Sequence, residues 1–339
     1  MRCVFLEHPS SLEHDTGGHP EQAARIVAIQ RELEARDWLG FERMRSPTVD
    51  RDVLTAVHPE SYVAAIEWAS VRGGRPLDPD TVVSEGSFEA ALHAAGGAVR
   101  MVELLLDGEA DAAFSAHRPP GHHATPIRAM GFCLFNNIAV AARFALDVRG
   151  LERVMIVDWD VHHGNGTNDI FHTSDRVLFV SIHEWPLYPG TGAAADVGAG
   201  DGRGFTVNLP VPPGTGDEDY RSIVEHVVAP LVSAYRPQLM LISAGYDAHR
   251  EDPLADCLLT DASYAAMARS MRRAAESVHA PLGCVLEGGY ALGALARSVA
   301  ATMDVLRQPV LEQPEQVAVT PAAAQARSRL AESWPQIAA

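Results

Sequence analysis

Four short stretches of the sequence concentrate Asp, His and Tyr: HRPPGHHA (His117–Ala124), DWDVHHGNG (Asp158–Gly166), GYDAHREDP (Gly245–Pro253) and EGGY (Glu287–Tyr290). In the second, Asp158, Asp160 and His162 alternate, so on extended backbone their side chains leave from the same side. Two carboxylates and an imidazole at that spacing suit a cation. With Asp247 from the third stretch, Asp160 and His162 make a three-ligand set of oxygen and nitrogen donors that leaves a position open for water. An open site of this kind is catalytic, because the metal lowers the pKa of bound water and polarises a carbonyl. Singly, each residue reads as an ordinary loop carboxylate or surface histidine. Their grouping is what argues for a metal.

The adjacent His122 and His123 sit in a turn set by Pro119, Pro120 and Gly121. Facing a metal, such a pair could supply what amide hydrolysis needs, a proton acceptor and later a donor to the leaving amine. Two imidazoles held by different partners can divide those tasks. Tyr290 follows two glycines that permit unusual backbone torsions, and its hydroxyl could donate to a developing oxyanion.

These stretches must be positioned by elements, and the chain supplies them in alternation. The apolar runs Cys3–Leu6, Ala112–Ala116, Val154–Val157, Val177–Ile182, Phe205–Leu209, Leu239–Ala244 and Gly283–Leu286 read as strands. Between them Glu21–Arg36, Ser87–Leu106, Asn136–Asp147, Asp217–Tyr235 and Asp261–His279 read as helices. This alternation predicts an α/β domain with a mostly parallel sheet covered on both faces. Each of the four chemical stretches directly follows an apolar run. Ligands of open α/β sheets bind beyond the carboxyl ends of the strands, so the four converge on one site. We expect one large domain over residues 1–307. A Pro/Gln/Ala-rich extension over 308–339 would pack on the domain or on a partner subunit.

Composition narrows the function. The formal charge of −17 argues against a nucleic-acid binder. All 27 basic residues are arginine, which removes Schiff-base chemistry and a lysine-bearing phosphate loop. The four cysteines show no CxxC and no framework spacing. Without a signal peptide or long apolar run, the expected location is the cytoplasm, with no membrane partner.

Taken together, RPPGHHA, GFCLFNN (Gly131–Asn137), DWDVHHGNGT (Asp158–Thr167), SIH (Ser181–His183), YPGTG (Tyr188–Gly192), SAGYDAHREDPL (Ser243–Leu254) and LEGGY (Leu286–Tyr290) resemble the histone deacetylase family. HPEQAAR (His19–Arg25) resembles its amino-terminal signature, and the likeness runs over about residues 1 to 305. The resemblance implies the arginase–deacetylase fold, a single α/β domain around an eight-stranded parallel sheet. It implies one zinc ion on Asp160, His162 and Asp247, with His123 as general base and acid beside Asn165. His122, paired with Asp158, would be its electrostatic partner, and Tyr290 would polarise the acyl carbonyl. Phe132 and Tyr188 match aromatic walls of a substrate tunnel, with Gly131 and Leu254 in the same substrate-binding set and Asp80 as a rim aspartate. A structural potassium ion would use the side chains of Asp158 and Ser181 with carbonyls near Asp160, His162 and Ile182. Arg25 matches an arginine at the inner end of the tunnel, where acetate leaves.

Asn165 stands where class I members carry aspartate, and RPPGHHA with SAGYDA also points to the class II branch. With Tyr290 intact, the resemblance implies an active enzyme. The expected substrate is an acetylated lysine side chain or an acetylated small amine, and relatives of this kind form homo-oligomers. Some polyamine-selective relatives place a glutamate where this chain has Leu254, so lysine-like substrates are favoured over acetylpolyamines. Two other chemistries remain in view: a two-manganese ureohydrolase of the arginase type, against which GHHA, GFC and EGGY argue, and a silent acyl-binding module. The latter would lack one of His123, Tyr290 or a zinc ligand, and none is missing.

Overall fold

The computed structural model describes residues 1–73, 76–309 and 316–337. Eight strands, β1 (Cys3–Glu7), β2 (Glu42–Arg45), β3 (Ala112–Ser115), β4 (Val154–Asp158), β5 (Val177–Glu184), β6 (Thr206–Val211), β7 (Leu239–Ala244) and β8 (Leu282–Leu286), form one sheet in the order β2-β1-β3-β8-β7-β4-β5-β6. Every pairing is parallel. The molecule is thus a single α/β domain.

Five interior strands, β3, β4, β5, β7 and β8, are buried along their whole length, as expected when helices cover both faces of a parallel sheet. Side chains alternate between two apolar layers. Phe5, Met155, Val157 and Met240 enter one layer, while Val4, Leu6, Val154 and Ile156 enter the other. The seven apolar runs all became strands. The eighth, β2, has the sequence ERMR and lies mostly exposed at the sheet edge, so it carries no apolar signal in the sequence.

Helix boundaries shift for local reasons. Asn137–Asp147 is capped by the Asn136 side chain, which accepts from the Ala139 N–H at 3.0 Å. The stretch expected as one helix over Asp217–Tyr235 is interrupted by a wide π-type turn at Val224–Val228, just before Pro230 removes a backbone donor. The helix expected from Glu21 begins only at Ala24, because Glu21 is taken up in the buried ion-pair network of the site.

Part of the C-terminal extension folds back on the domain. Helix Pro321–Leu330 is capped by Thr320. Ala323, Ala326, Leu330, Trp334 and Ile337 join one of the apolar layers, and Trp334 Nε1 donates to the Gly204 carbonyl at 2.9 Å. Residues 310–315 and 338–339 of the extension lie outside the described residues. Among the described residues, no helix is long and apolar enough to cross a membrane.

Candidate active site

The parallel register places Asp158, at the end of β4, between Ser243 of β7 and Ser181 of β5. All four chemical stretches therefore emerge at one end of the sheet. The loop after β4 turns tightly, with the Asp160 N–H donating to Asp158 Oδ1 at 3.1 Å and the His162 N–H to Asp160 Oδ1 at 2.9 Å. Asp247, beyond β7, accepts from the Val161 N–H at 2.8 Å. His162 Nδ1 then lies 3.2 Å from Asp160 Oδ1 and 3.1 Å from Asp247 Oδ2. Among the described residues, Asp160, His162 and Asp247 are the one group of such side chains whose donor atoms gather within 4.8 Å, and all three are buried.

Electrostatics point the same way. Burial opposes a charge on His162, yet the hydrogen bonds and charges of Asp160 and Asp247 raise it to about 10. Burial and the nearby Asp160 charge push Asp247 above the usual carboxylate range. Two buried carboxylates this close require positive charge between them. Gly288 keeps that space open: its N–H donates to Asp160 Oδ2 at 2.8 Å, and a Cβ there would lie 2.1 Å from Asp247 Oδ2 and 2.6 Å from Asp160 Oδ2.

The two histidines of the β3 loop have different partners. His122 Nδ1 is 2.9 Å from Asp158 Oδ2, and His123 Nδ1 is 2.8 Å from Asn165 Oδ1. Both rings are buried. Burial disfavours charge on His122, but the Asp160 and Asp158 carboxylates outweigh it and hold the imidazole well above its usual value. His123 is held well below, by burial first and then by His122 and His162. The environments thus separate a cationic imidazole from a neutral one.

A cavity of about 200 Å³ leads to this cluster, lined by Asp80, His123, Gly131, Phe132, His162, Leu187, Tyr188, Leu254 and Tyr290. The residues expected to bind substrate thus share one cavity wall. Phe132, at φ 70, stands edge-on to Tyr290 at 5.6 Å, and Tyr188 edge-on to His123 at 5.2 Å. Burial keeps the Tyr290 phenol neutral, well above its usual range. Asp80 receives the Thr81 hydroxyl at 3.1 Å, and burial with neighbouring Asp78 pushes it up to about 6. Ser181 and Ile182 are buried on β5 beside Asp158, with Ser181 Oγ 2.9 Å from His183 Nδ1.

Arg25 is fully buried behind Tyr290, its guanidinium 5.1 Å from the ring centre. It donates to the Gly289 carbonyl at 2.7 Å and to the Glu287 carbonyl. Glu21 joins Arg25, at 3.1 Å, to Arg118 of the RPPGHHA loop, which grips both carboxylate oxygens. Burial alone would raise the Glu21 pKa, but Arg118 and then Arg25 hold it at about 2. The stability this carboxylate contributes is present above its ordinary value near 4.5 and drains away as pH falls toward about 2. Glu21→Gln leaves two buried guanidinium groups without their counter-charge. It is expected to lower stability near neutral pH by about 3–5 kcal/mol, with the deficit shrinking in acid. Urea unfolding at pH 7 and pH 3 checks this, and an equal deficit at both would refute the ion-pair account.

Sequence reasoning gave Glu21, Arg118 and Glu287 no role. Glu287 Oε2 accepts the N–H groups of Gly121 (2.7 Å) and His122 (3.1 Å), fixing the turn that carries both histidines. It lay in a stretch already singled out, but its partners are more than 160 residues away.

Comparisons with known proteins bear out the expected fold and family. A family model described as "Histone deacetylase domain" matches residues 19–306. A "Probable deacetylase" of Archaeoglobus fulgidus is 40% identical over 329 residues, covering 93% of this chain and 91% of its own length. A "Histone deacetylase-like amidohydrolase" of Pseudomonas aeruginosa is 44% identical over 84% of this chain and 75% of its own. Among solved structures, the "HDA15 HD domain" superposes with a TM-score of 0.92 at 36% identity, covering 99% of this chain and 96% of that one. The family model spans seven of the eight strands, β2 to β8, and the four loops at the carboxyl end of the sheet, and the chain belongs to the histone deacetylase family.

Proposed function

We propose that this deacetylase is a zinc-dependent amidohydrolase that removes acetyl groups from the ε-amine of lysine-like substrates and releases acetate. The observation that carries the reading is the convergence of the Asp160–His162–Asp247 group, a neutral His123 and a neutral Tyr290 on one narrow cavity. The donor set fits zinc, with two carboxylates and one imidazole buried around a space that Gly288 leaves open. When bound there, zinc supplies Lewis acidity toward the acyl oxygen and the attacking water. The Asp158 and Ser181 side chains, with carbonyls near Asp160, His162 and Ile182, are the proposed holders of a structural potassium ion.

The chain's own groups do the rest. The amide oxygen of Asn165 accepts from His123 Nδ1, which leaves the Nε2 lone pair free to take a proton from water as its oxygen attacks the carbonyl carbon. Cationic His122, anchored on Asp158, keeps His123 a weak base that gives the proton up again. The Tyr290 hydroxyl donates to the oxygen on which negative charge develops. As the C–N bond breaks, His123 passes the proton to the departing amine, and acetate remains. Phe132 and Tyr188 flank an extended alkyl chain, Gly131 lines it while leaving room for the His123 ring, Asp80 meets the substrate at the rim, and Arg25 faces acetate at the inner end.

Leu254 in the cavity wall offers no charge to a second ammonium, which favours acetyl-lysine over acetylpolyamines. The test compares kcat/KM of zinc-loaded protein on acetyl-lysine peptides, N-acetylputrescine and acetylated spermidine. Peptides are expected to be turned over about tenfold more efficiently, a difference of about 1.4 kcal/mol. A preference for the polyamines overturns the substrate assignment but not the chemistry. No acetate from any of them overturns both.

A further inference from the structure

Leu254 and Tyr290 stand on loops that follow different strands, β7 and β8, yet both line the cavity. Beside the backbone bond from the Tyr246 N–H to the Gly288 carbonyl, one buried side chain bonds to both loops. Asp252 Oδ2 accepts the Tyr290 N–H at 2.7 Å and the Ala291 N–H at 3.3 Å, while Oδ1 accepts the Leu254 N–H at 3.0 Å. The base of Asp252 is itself fixed, its own N–H donating to the His249 carbonyl at 2.8 Å. Tyr290 needs such an anchor. It follows Gly289 at φ +121, a conformation glycine adopts without cost, so the local backbone has other torsions open to it. Ala291 precedes helix Leu292–Leu306, and an acceptor for its N–H is ordinary capping of the unpaired donors at a helix start. Capping does not account for the bonds to Tyr290 and Leu254, which lie on either side of the substrate space.

We infer that Asp252 is a positioning residue that sets the Tyr290 phenol and the Leu254 wall at a fixed separation, so that a substrate chain lying against the one brings its acyl carbonyl to the hydroxyl of the other. This rests on the reading of Tyr290 as the group that acts on the acyl oxygen. Asp252→Ala removes all three acceptor contacts and leaves the Tyr290 backbone to glycine's freedom. A misplacement of the phenol by about 1 Å is enough for a roughly 100-fold loss of kcat. Asp252→Asn keeps one acceptor oxygen and turns a donor toward the other loop, so its kcat should fall between wild type and Asp252→Ala.

The test is a double-mutant cycle on zinc-loaded protein with an acetyl-lysine peptide, measuring kcat and KM for wild type, Asp252→Ala, Tyr290→Phe and the pair, with thermal melts to establish folding. If Asp252 acts through Tyr290, its loss costs about 100-fold in the wild-type background and under about threefold once the hydroxyl is gone. An equal fold-loss of kcat in both backgrounds makes Asp252 a general structural residue and overturns the inference, leaving the Tyr290 role intact. Full activity of Tyr290→Phe overturns the role of Tyr290 itself. Should Asp252→Ala not fold, the same cycle run with Asp252→Asn decides by the same criterion.

Discussion

Tyr290→Phe is expected to lower kcat on an acetyl-lysine peptide by about 10²–10³-fold while KM moves little. The hydroxyl is the only atom lost. The ring keeps its edge-on contact with Phe132 at 5.6 Å and its place in front of Arg25, so the cavity retains its shape. What disappears is a donor aimed at an oxygen that gains charge only as water adds. Such a bond is stronger in the transition state than in the ground state, and its loss therefore falls on kcat rather than on binding. Steady-state kinetics with an active-site titration checks this. A rise in KM at constant kcat would instead make Tyr290 a substrate-binding wall.

Asp247→Asn should abolish zinc uptake and with it at least about 10³-fold of the activity, since one of the three proposed zinc ligands loses its charge. The same substitution should not destabilise the metal-free protein. Burial and the adjacent Asp160 make the Asp247 charge costly there, and the amide removes that cost while keeping its oxygen for the Val161 N–H. The expected pattern is a wild type whose melting temperature climbs on adding zinc and a variant whose melting temperature starts as high and does not respond. At a hundredfold excess over its dissociation constant, zinc would contribute about 2.7 kcal/mol. Metal analysis by mass spectrometry and thermal melts with and without chelator measure both halves. Full activity after chelation would remove the metal from the mechanism altogether.

The strands and the Asp160–His162 part of the candidate metal group were legible in the sequence because their signals are local, while Asp247 joined them through its place after another apolar run. Val154–Asp158 is five apolar or strand-ending residues in a row, and the alternation of Asp158, Asp160 and His162 lies within its continuation. The division of labour between His122 and His123 was legible as a possibility. Which ring meets Asp158 and which meets Asn165 was implied by the family resemblance alone, since residue spacing does not decide three-dimensional approach. The supporting carboxylates were less visible still. Glu287, Glu21 and Asp252 look like surface charges in a chain of net charge −17. Each is buried and bonded to loops brought in by other strands. Strand β2 escaped because an exposed edge needs no apolar residues.

The strand order has a consequence for how this chain comes into being on the ribosome. β8 lies in the interior of the sheet, between β3 and β7, although it is the last strand to be synthesised. Until Leu282–Leu286 emerges, the segment β1–β3 and the segment β4–β7 are two separate ribbons, each with an unpaired interior edge. Completion of the sheet and assembly of the hydrolytic centre are therefore one late event. The same few residues that zip the ribbons together bring Glu287 under the His122 turn, Gly288 onto Asp160 and Tyr290 into the cavity. Such long-range closure is slow and leaves apolar edges open to aggregation while it waits. A nascent chain that stalls short of β8 therefore has neither a complete sheet nor an assembled hydrolytic centre.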